Sequence, residues 1–173
     1  MSDSRAIVTV RSEARADAPA IRALTIAAFR DAPHTGHDEQ HIVDELRRAG
    51  ALTISLVAED RGVVVGHVAV SPVSISDASA GWYGLGPISV QPERQRSGIG
   101  TLLMREALRR LRALGAAGCV VLGDPAYYAR FGFVRVEGLM FPDAPPEYFQ
   151  AVAFAPPFPR GAVTYREAFG VGG

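Results

Sequence analysis

The apolar positions along this chain change period several times, and each change marks an element. Residues 6–11, with Ile7, Val8 and Val10, read as a short strand. Asp17 precedes Ala18-Pro19, which predicts a helix N-terminus with an acceptor cap and proline in the first turn. Ile21, Leu24, Ile26, Ala28 and Phe29 give that helix an apolar side, ending near Arg30. Asp38 is placed to cap a second helix whose stripe is Ile42, Val43 and Leu46, stopped by Gly50. Strands follow at Leu52–Glu59 and Val63–Ser76, joined by the turn Asp60-Arg61-Gly62, and a third runs over Trp82–Val90. Ile99, Leu102, Leu103, Ala107, Leu108, Leu111 and Leu114 recur at helical spacing up to Gly115. Cys119–Leu122 is continuously apolar, as in a strand covered on both faces. Asp124-Pro125 opens a short helix closed by Gly132, and Tyr148–Phe154 and Ala162–Phe169 are the last strand candidates. The predicted order is β-α-α-β-β-β-α-β-α-β-β, a mixed α/β fold with antiparallel pairs in one domain over residues 1–173.

Composition narrows the classes. Eighteen basic and eighteen acidic residues cancel in a chain of 173. With no excess positive charge, binding to nucleic acid or a membrane surface is not expected. Cys119 is the only cysteine, which excludes an internal disulfide and a cysteine-built zinc site and fits a reducing cytoplasm. No signal-like or membrane-spanning apolar run is present in the sequence.

The chemistry concentrates in one stretch, Leu85 to Thr101: a strand, a loop with Gly98 and Gly100, then the long helix. The first turn of a helix offers N–H groups with no intrahelical partner, and the helix dipole adds positive potential. Together they make an anion site that a pyrophosphate suits, with Arg94 and Arg96 at its rim. The spacing is neither a P-loop nor a dinucleotide fingerprint, since no lysine follows and the third glycine would fall at Leu103.

Gln95-Arg-Ser-Gly98-Ile-Gly100 resembles the acyl-CoA pyrophosphate loop, Q/R-x-x-G-x-G/A, of the GNAT N-acetyltransferase superfamily. Tyr128-Ala-Arg-Phe-Gly132-Phe133 is similar to that family's Y-x-x-x-G-F element after its fifth strand. Leu85-Gly-Pro, Gly123-Asp-Pro-Ala-Tyr-Tyr and the Phe-rich C-terminal strands resemble a YhbS-type subgroup of bacterial acetyltransferases. The resemblance implies a mostly antiparallel sheet flanked by helices, with a V-shaped splay between the fourth and fifth strands. It implies acetyl-CoA as cosubstrate, no metal, and a small-molecule or peptide amine as acceptor. It places Ile88, Ser89 and Val90 along the pantetheine arm, with the Ile88 amide polarising the thioester carbonyl. Gln95, Arg96, Ser97, Gly98, Ile99, Gly100 and Thr101 would form the pyrophosphate loop. Tyr128 would protonate the leaving thiolate. Asp124 before Pro125 reads as an N-cap, with the acceptor or the pantetheine as the alternative partner of its side chain.

One departure stands out. Some members of the superfamily carry a glutamate on the fourth strand as general base, and the matching position here is Gly84. His67 and Glu39 are the substrate-side candidates, each with a plain alternative: a satisfied sheet histidine and a favourable helix N-terminal charge. His34, His37 and His41 do not match the zincin spacing, because position 38 is Asp. A non-catalytic acyl-CoA-binding module and a metal-dependent hydrolase built on these histidines are the rival readings. The segment Phe154-Ala-Pro-Pro-Phe-Pro can pack internally or against a second copy in a homodimer.

Overall fold

The computed structural model describes residues 7–32 and 37–170. Its centre is a six-stranded sheet in the order β1-β2-β3-β5-β6-β8, formed by β1 (Val8–Ser12), β2 (Ile54–Asp60), β3 (Val63–Pro72), β5 (Trp82–Val90), β6 (Gly118–Leu122) and β8 (Phe149–Ala153). All neighbours are antiparallel except β5 and β6, which run parallel because the helix α3 (Ile99–Ala113) crosses between them. A second, three-stranded sheet joins β4 (Ser74–Ile75), β9 (Gly161–Thr164) and β7 (Leu139–Met140).

Each helix covers a defined face. Leu103, Met104, Ala107 and Leu111 of α3 are fully buried over Leu56, Ala58, Val68, Val70 and Leu85. The opposite face is covered by α1 (Ala18–Phe29) and α2 (Glu39–Arg48), with Ile21, Val43 and Val57 packed together. A helix spacing of three and four residues puts these apolar side chains on one stripe. The stripes are narrower than the sequence suggests: Ile26, Leu102 and Leu114 are exposed.

Several local details differ from the sequence reading, for physical reasons. Asp17 and Asp38 do precede helices, but neither side chain caps one. Asp17 is instead held by Arg11, at 2.7 Å, and by the Ala14 N–H. The strand expected over Val63–Ser76 ends as β3 at Pro72; the Val73 N–H still donates to the Trp82 carbonyl at 3.1 Å, and Ser74–Ile75 then pairs with β9 in the second sheet. The strand expected over Ala162–Phe169 ends at Thr164, and residues 167–170 form a 3-10 turn against α2. The Asp60-Arg61-Gly62 turn holds as read, with both Arg61 and Gly62 in the left-handed region (φ 52° and 80°) that suits the twist of a hairpin. Phe154 and Phe158 pack internally, Phe154 under Arg112 and Phe158 beside Trp82.

The first turn of α3 is seated on β3 at Gly66. A Cβ there would lie 2.8 Å from Ile99 Cγ2 and 2.9 Å from Leu103 Cδ1, both on buried side chains. Gly66→Ala is expected to destabilise the protein by about 1–3 kcal/mol, the usual cost of overpacking. Urea unfolding measures it, and an unchanged midpoint would mean that the helix is not seated there.

Candidate functional site

The site starts where a ladder stops. β5 and β6 pair at Trp82↔Gly118, Tyr83↔Cys119, Gly84↔Val120 and Leu85↔Val121, and no further. Beyond Leu85 the strand bulges: two residues of β5, Gly86 and Pro87, oppose one of β3, Ala69, between the pairs Leu85↔Val70 and Ile88↔Val68. A bulge bends its strand, so β5 leaves its neighbour here. β5 continues to Val90 along β3 alone, which opens the V-shaped splay.

The direction of the freed peptide groups follows from one hydrogen bond. Gln91 N–H donates to the Val65 carbonyl at 2.9 Å, towards β3. Peptide groups alternate along a strand, so the N–H groups of Ile88 and Val90 face the splay and that of Ser89 faces β3. The Val90 carbonyl, on the splay side, accepts from Gln95 Nε2 at 3.2 Å. Gln95 thereby ties the loop that follows to the mouth of the splay.

That loop is shaped for an anion. Arg96 and Gly98 are left-handed (φ 64° and 92°), and no side chain caps α3 at Gly98. The first intrahelical bond runs from Leu102 N–H to the Gly98 carbonyl, which leaves the amides of the first turn outside the helical ladder. Alternating right- and left-handed residues turn successive N–H groups towards one point. Ser97 folds its hydroxyl back onto the Arg94 carbonyl. Of the two rim arginines, Arg94 is tied to Asp60 at 2.9 Å and Arg96 is exposed.

Tyr127 and Tyr128 sit edge to face, ring centroids 5.0 Å apart, on the helix α4 (Pro125–Tyr128) at the end of β6. Asp124 caps that helix, accepting from the Ala126 N–H at 2.9 Å. Tyr128 is buried against Gly123 and Phe133, near Cys119. Burial pushes its hydroxyl pKa up, and the neighbouring Tyr127, Cys119 and Asp124 push it the same way, so it stays protonated. Tyr127, with Arg130 stacked 4.9 Å over its ring, points its hydroxyl at α3: a Cβ on Gly100 would stand 2.8 Å from it. The sequence spacing singled out Tyr128 and gave no hint that its neighbour meets the anion loop.

The remaining candidates fall elsewhere. His67 is fully buried on the α1 face, with Nε2 at 2.8 Å from Ser55 Oγ. Burial, and then the charge of Arg47, hold its pKa down at about 3, so it is a neutral imidazole at physiological pH. Ser89, opposite His67 in the ladder, is also buried on that face. Glu39 opens α2 and is half-buried. Of the three other histidines, His34 lies outside the described residues, His37 precedes α2 in a left-handed conformation, and His41 is exposed on it. His37 and His41 therefore do not share a helical face. Among the described residues no group of three or more His, Cys, Asp or Glu stands together as a metal site would require. No helix there is long and apolar enough to cross a membrane. Cys119 is buried, and burial raises its thiol pKa, which makes it a poor nucleophile. A cavity of about 700 Å³ lies at the far end of the sheet, by Ser12, Ile54 and Arg109, away from the splay.

A parallel pair opened by a bulge, with an uncapped glycine loop at its mouth, is the architecture of an acyl-CoA-dependent transferase. The Acetyltransferase (GNAT) domain matches residues 52–135, and the chain belongs to the GNAT N-acetyltransferase family. It is 40% identical to the N-acetyltransferase YhbS of Escherichia coli (strain K12) over 125 residues, 72% of each chain. Among solved structures it is similar to a GNAT family acetyltransferase from Brucella melitensis in complex with acetyl-CoA, at 51% identity. The TM-score is 0.85, over 95% of this chain and 99% of that one. It is also similar to the Escherichia coli YhbS crystallised with CoA, at 34% identity and a TM-score of 0.87, over 100% of this chain and 97% of that one.

The neutral His67 makes stability depend on pH. Its folded pKa lies below the unfolded value of 6.5, so between about 3 and 6.5 the unfolded chain binds more protons. This contribution is complete above pH 6.5 and is lost as pH falls towards 3, about 2 kcal/mol of it by pH 5. His67→Gln should flatten the fall in urea-unfolding stability between pH 7 and 5. An unchanged slope would show that the imidazole is charged in the fold.

Proposed function

We propose that this chain transfers the acetyl group of acetyl-CoA to a primary amine, which attacks the thioester directly. The observation that carries the reading is the pair of β5 amides, Ile88 and Val90, turned into a gap that no strand fills. Buried peptide N–H groups require partners, and an extended ligand with amide and carbonyl groups supplies them. The Val90 amide holds the pantetheine arm, and the Ile88 amide faces the carbonyl whose oxygen becomes negative. The amides of Arg96 to Thr101 receive the pyrophosphate, and the Tyr127 hydroxyl beside Gly100 adds a donor. Gln95 closes the corner between arm and loop.

Tyr128, protonated at the end of β6, gives its proton to the departing thiolate. The balance is simple: acetyl-CoA and an ammonium yield CoA thiol, an N-acetyl amide and one proton released to water. The buried Cys119 has no histidine partner among its described contacts, consistent with attack without an acyl-enzyme. The Gly84 position holds no carboxylate, so the proton of the amine leaves through water. The absence of a base on β5 also suits a non-catalytic acyl-CoA-binding module, and amine-dependent thiol release separates the two.

Gly98→Asp tests the loop. Aspartate is an accepted helix N-cap and tolerates a left-handed backbone, so the fold should persist while its carboxylate fills the anion site. Titration calorimetry with acetyl-CoA should show affinity reduced by at least tenfold; unchanged affinity in a folded variant would remove the loop from the site. Tyr128→Phe should lower kcat on the order of 10²-fold with little change in acetyl-CoA affinity. Tyr127→Phe should do the reverse, weakening acetyl-CoA a few-fold and sparing kcat. Single-turnover rates with a slow amine read both, and full activity of Tyr128→Phe would mean that the thiolate leaves without it.

A further inference from the structure

Tyr165 stands over the last rung but one before the splay opens. Its Cε1 lies 2.5 Å from where a Cβ on Gly84 would be, so only glycine fits beneath the ring. Gly84 pairs with Val120, one step before the ladder ends at Leu85↔Val121. The Tyr165 hydroxyl oxygen is buried and makes no hydrogen bond in the protein. Opposite Gly84 on β3, Ser71 carries a second buried hydroxyl in the same condition. A fold that buries two hydroxyls without partners beside a ligand channel leaves them for a ligand.

The rest of the ring faces a cleft. Phe141 meets it edge-on at 5.0 Å and Phe169 tilted at 5.1 Å. With Asp143, Arg166 and Glu167 these rings line a cavity of about 410 Å³. Two carboxylates outnumber one guanidinium there, and aromatic faces attract cations. The volume is that of an ordinary small-molecule site.

We propose that this cleft receives the acceptor, as a primary ammonium on an apolar or aromatic body without a carboxylate of its own, and that the Tyr165 hydroxyl hydrogen-bonds the amine nitrogen at the inner end. The inference rests on the N-acetyltransferase reading above and assigns its second substrate. Asp143 and Glu167 draw the cation in, and Phe141 and Phe169 hold its body. Burial keeps the Tyr165 phenol un-ionised, because its pKa is pushed up. The phenol therefore accepts from the amine N–H while its own proton is free to reach a neighbouring oxygen. It positions the nitrogen and takes no proton from it.

Phenethylamine and phenylalanine are the probes: they share a body, and only the second carries a carboxylate. The wild-type protein should show kcat/KM at least tenfold higher for phenethylamine. Asp143→Asn with Glu167→Gln, both at exposed positions, should raise KM for phenethylamine about tenfold and narrow that gap. Tyr165→Phe should lower kcat/KM for phenethylamine tenfold or more. Its acetyl-CoA affinity should be unchanged and its melting temperature undiminished, since the hydroxyl it loses bonds to nothing in the protein. Full activity of Tyr165→Phe, or a loss matched by a fall in melting temperature or acetyl-CoA affinity, would overturn the inference and leave the transferase reading intact. Preference for phenylalanine would overturn the ligand class. If the wild type releases no thiol with any amine, the transferase reading fails. Calorimetry of phenethylamine with CoA-loaded protein then decides the cleft: binding weakened by the Asp143/Glu167 variant supports it, and no binding overturns it.

Discussion

Everything in this molecule that bears on chemistry depends on a ladder of hydrogen bonds that is allowed to end early. β5 and β6 share four paired positions, and the bulge after Leu85 then carries β5 away. The peptide groups of Ile88 and Val90 are left facing a gap inside an otherwise continuous sheet. A backbone donor in such a place has to be satisfied, and neither neighbouring strand can reach it. The site is thus a consequence of sheet geometry before any side chain is considered. α3 completes it, because its first turn is pinned to β3 at Gly66 and its uncapped amides open at the same mouth.

The two faces of the sheet divide the labour. Under α3 lies a dry core of Leu103, Met104, Leu111, Val68 and Leu85, which fixes the loop and the long helix. Under α1 and along the second sheet the residues are more polar: His67, Ser71 and Ser89 are all buried there. His67 is kept neutral by burial and by the charge of Arg47, and Ser55 stands at its Nε2. The C-terminal segment closes this face by laying the phenol ring of Tyr165 on Gly84.

Much of this was legible in the sequence where local chemistry decides. Trp82–Val90 and the start of α3 at Ile99 match the sequence reading, because proline, glycine and helical spacing punctuate them strongly. The glycine turn that leads into α3 was legible for the same reason. Asp124 was legible as a cap, since the cap and its N–H are two residues apart. What escaped depends on contacts between distant segments. Nothing near Asp17 shows that Arg11 claims its carboxylate. The exchange of Ser74–Ile75 into a second sheet needs β9. The approach of Tyr127 to Gly100 needs two elements separated by a whole strand. Gly84 read as a missing base; only the fold reveals that it makes room for Tyr165.

Amide hydrogen exchange, followed residue by residue with and without acetyl-CoA, tests the central claim most directly. The N–H groups of Ser89 and Gln91 face β3 and should be protected in both states. Those of Ile88 and Val90, and of the loop from Ser97 to Thr101, should exchange readily in the free protein and slow markedly when acetyl-CoA is added. Protection of Ile88 and Val90 already in the free protein, or no change at these amides on binding, would contradict a cofactor site built on the unpaired end of β5.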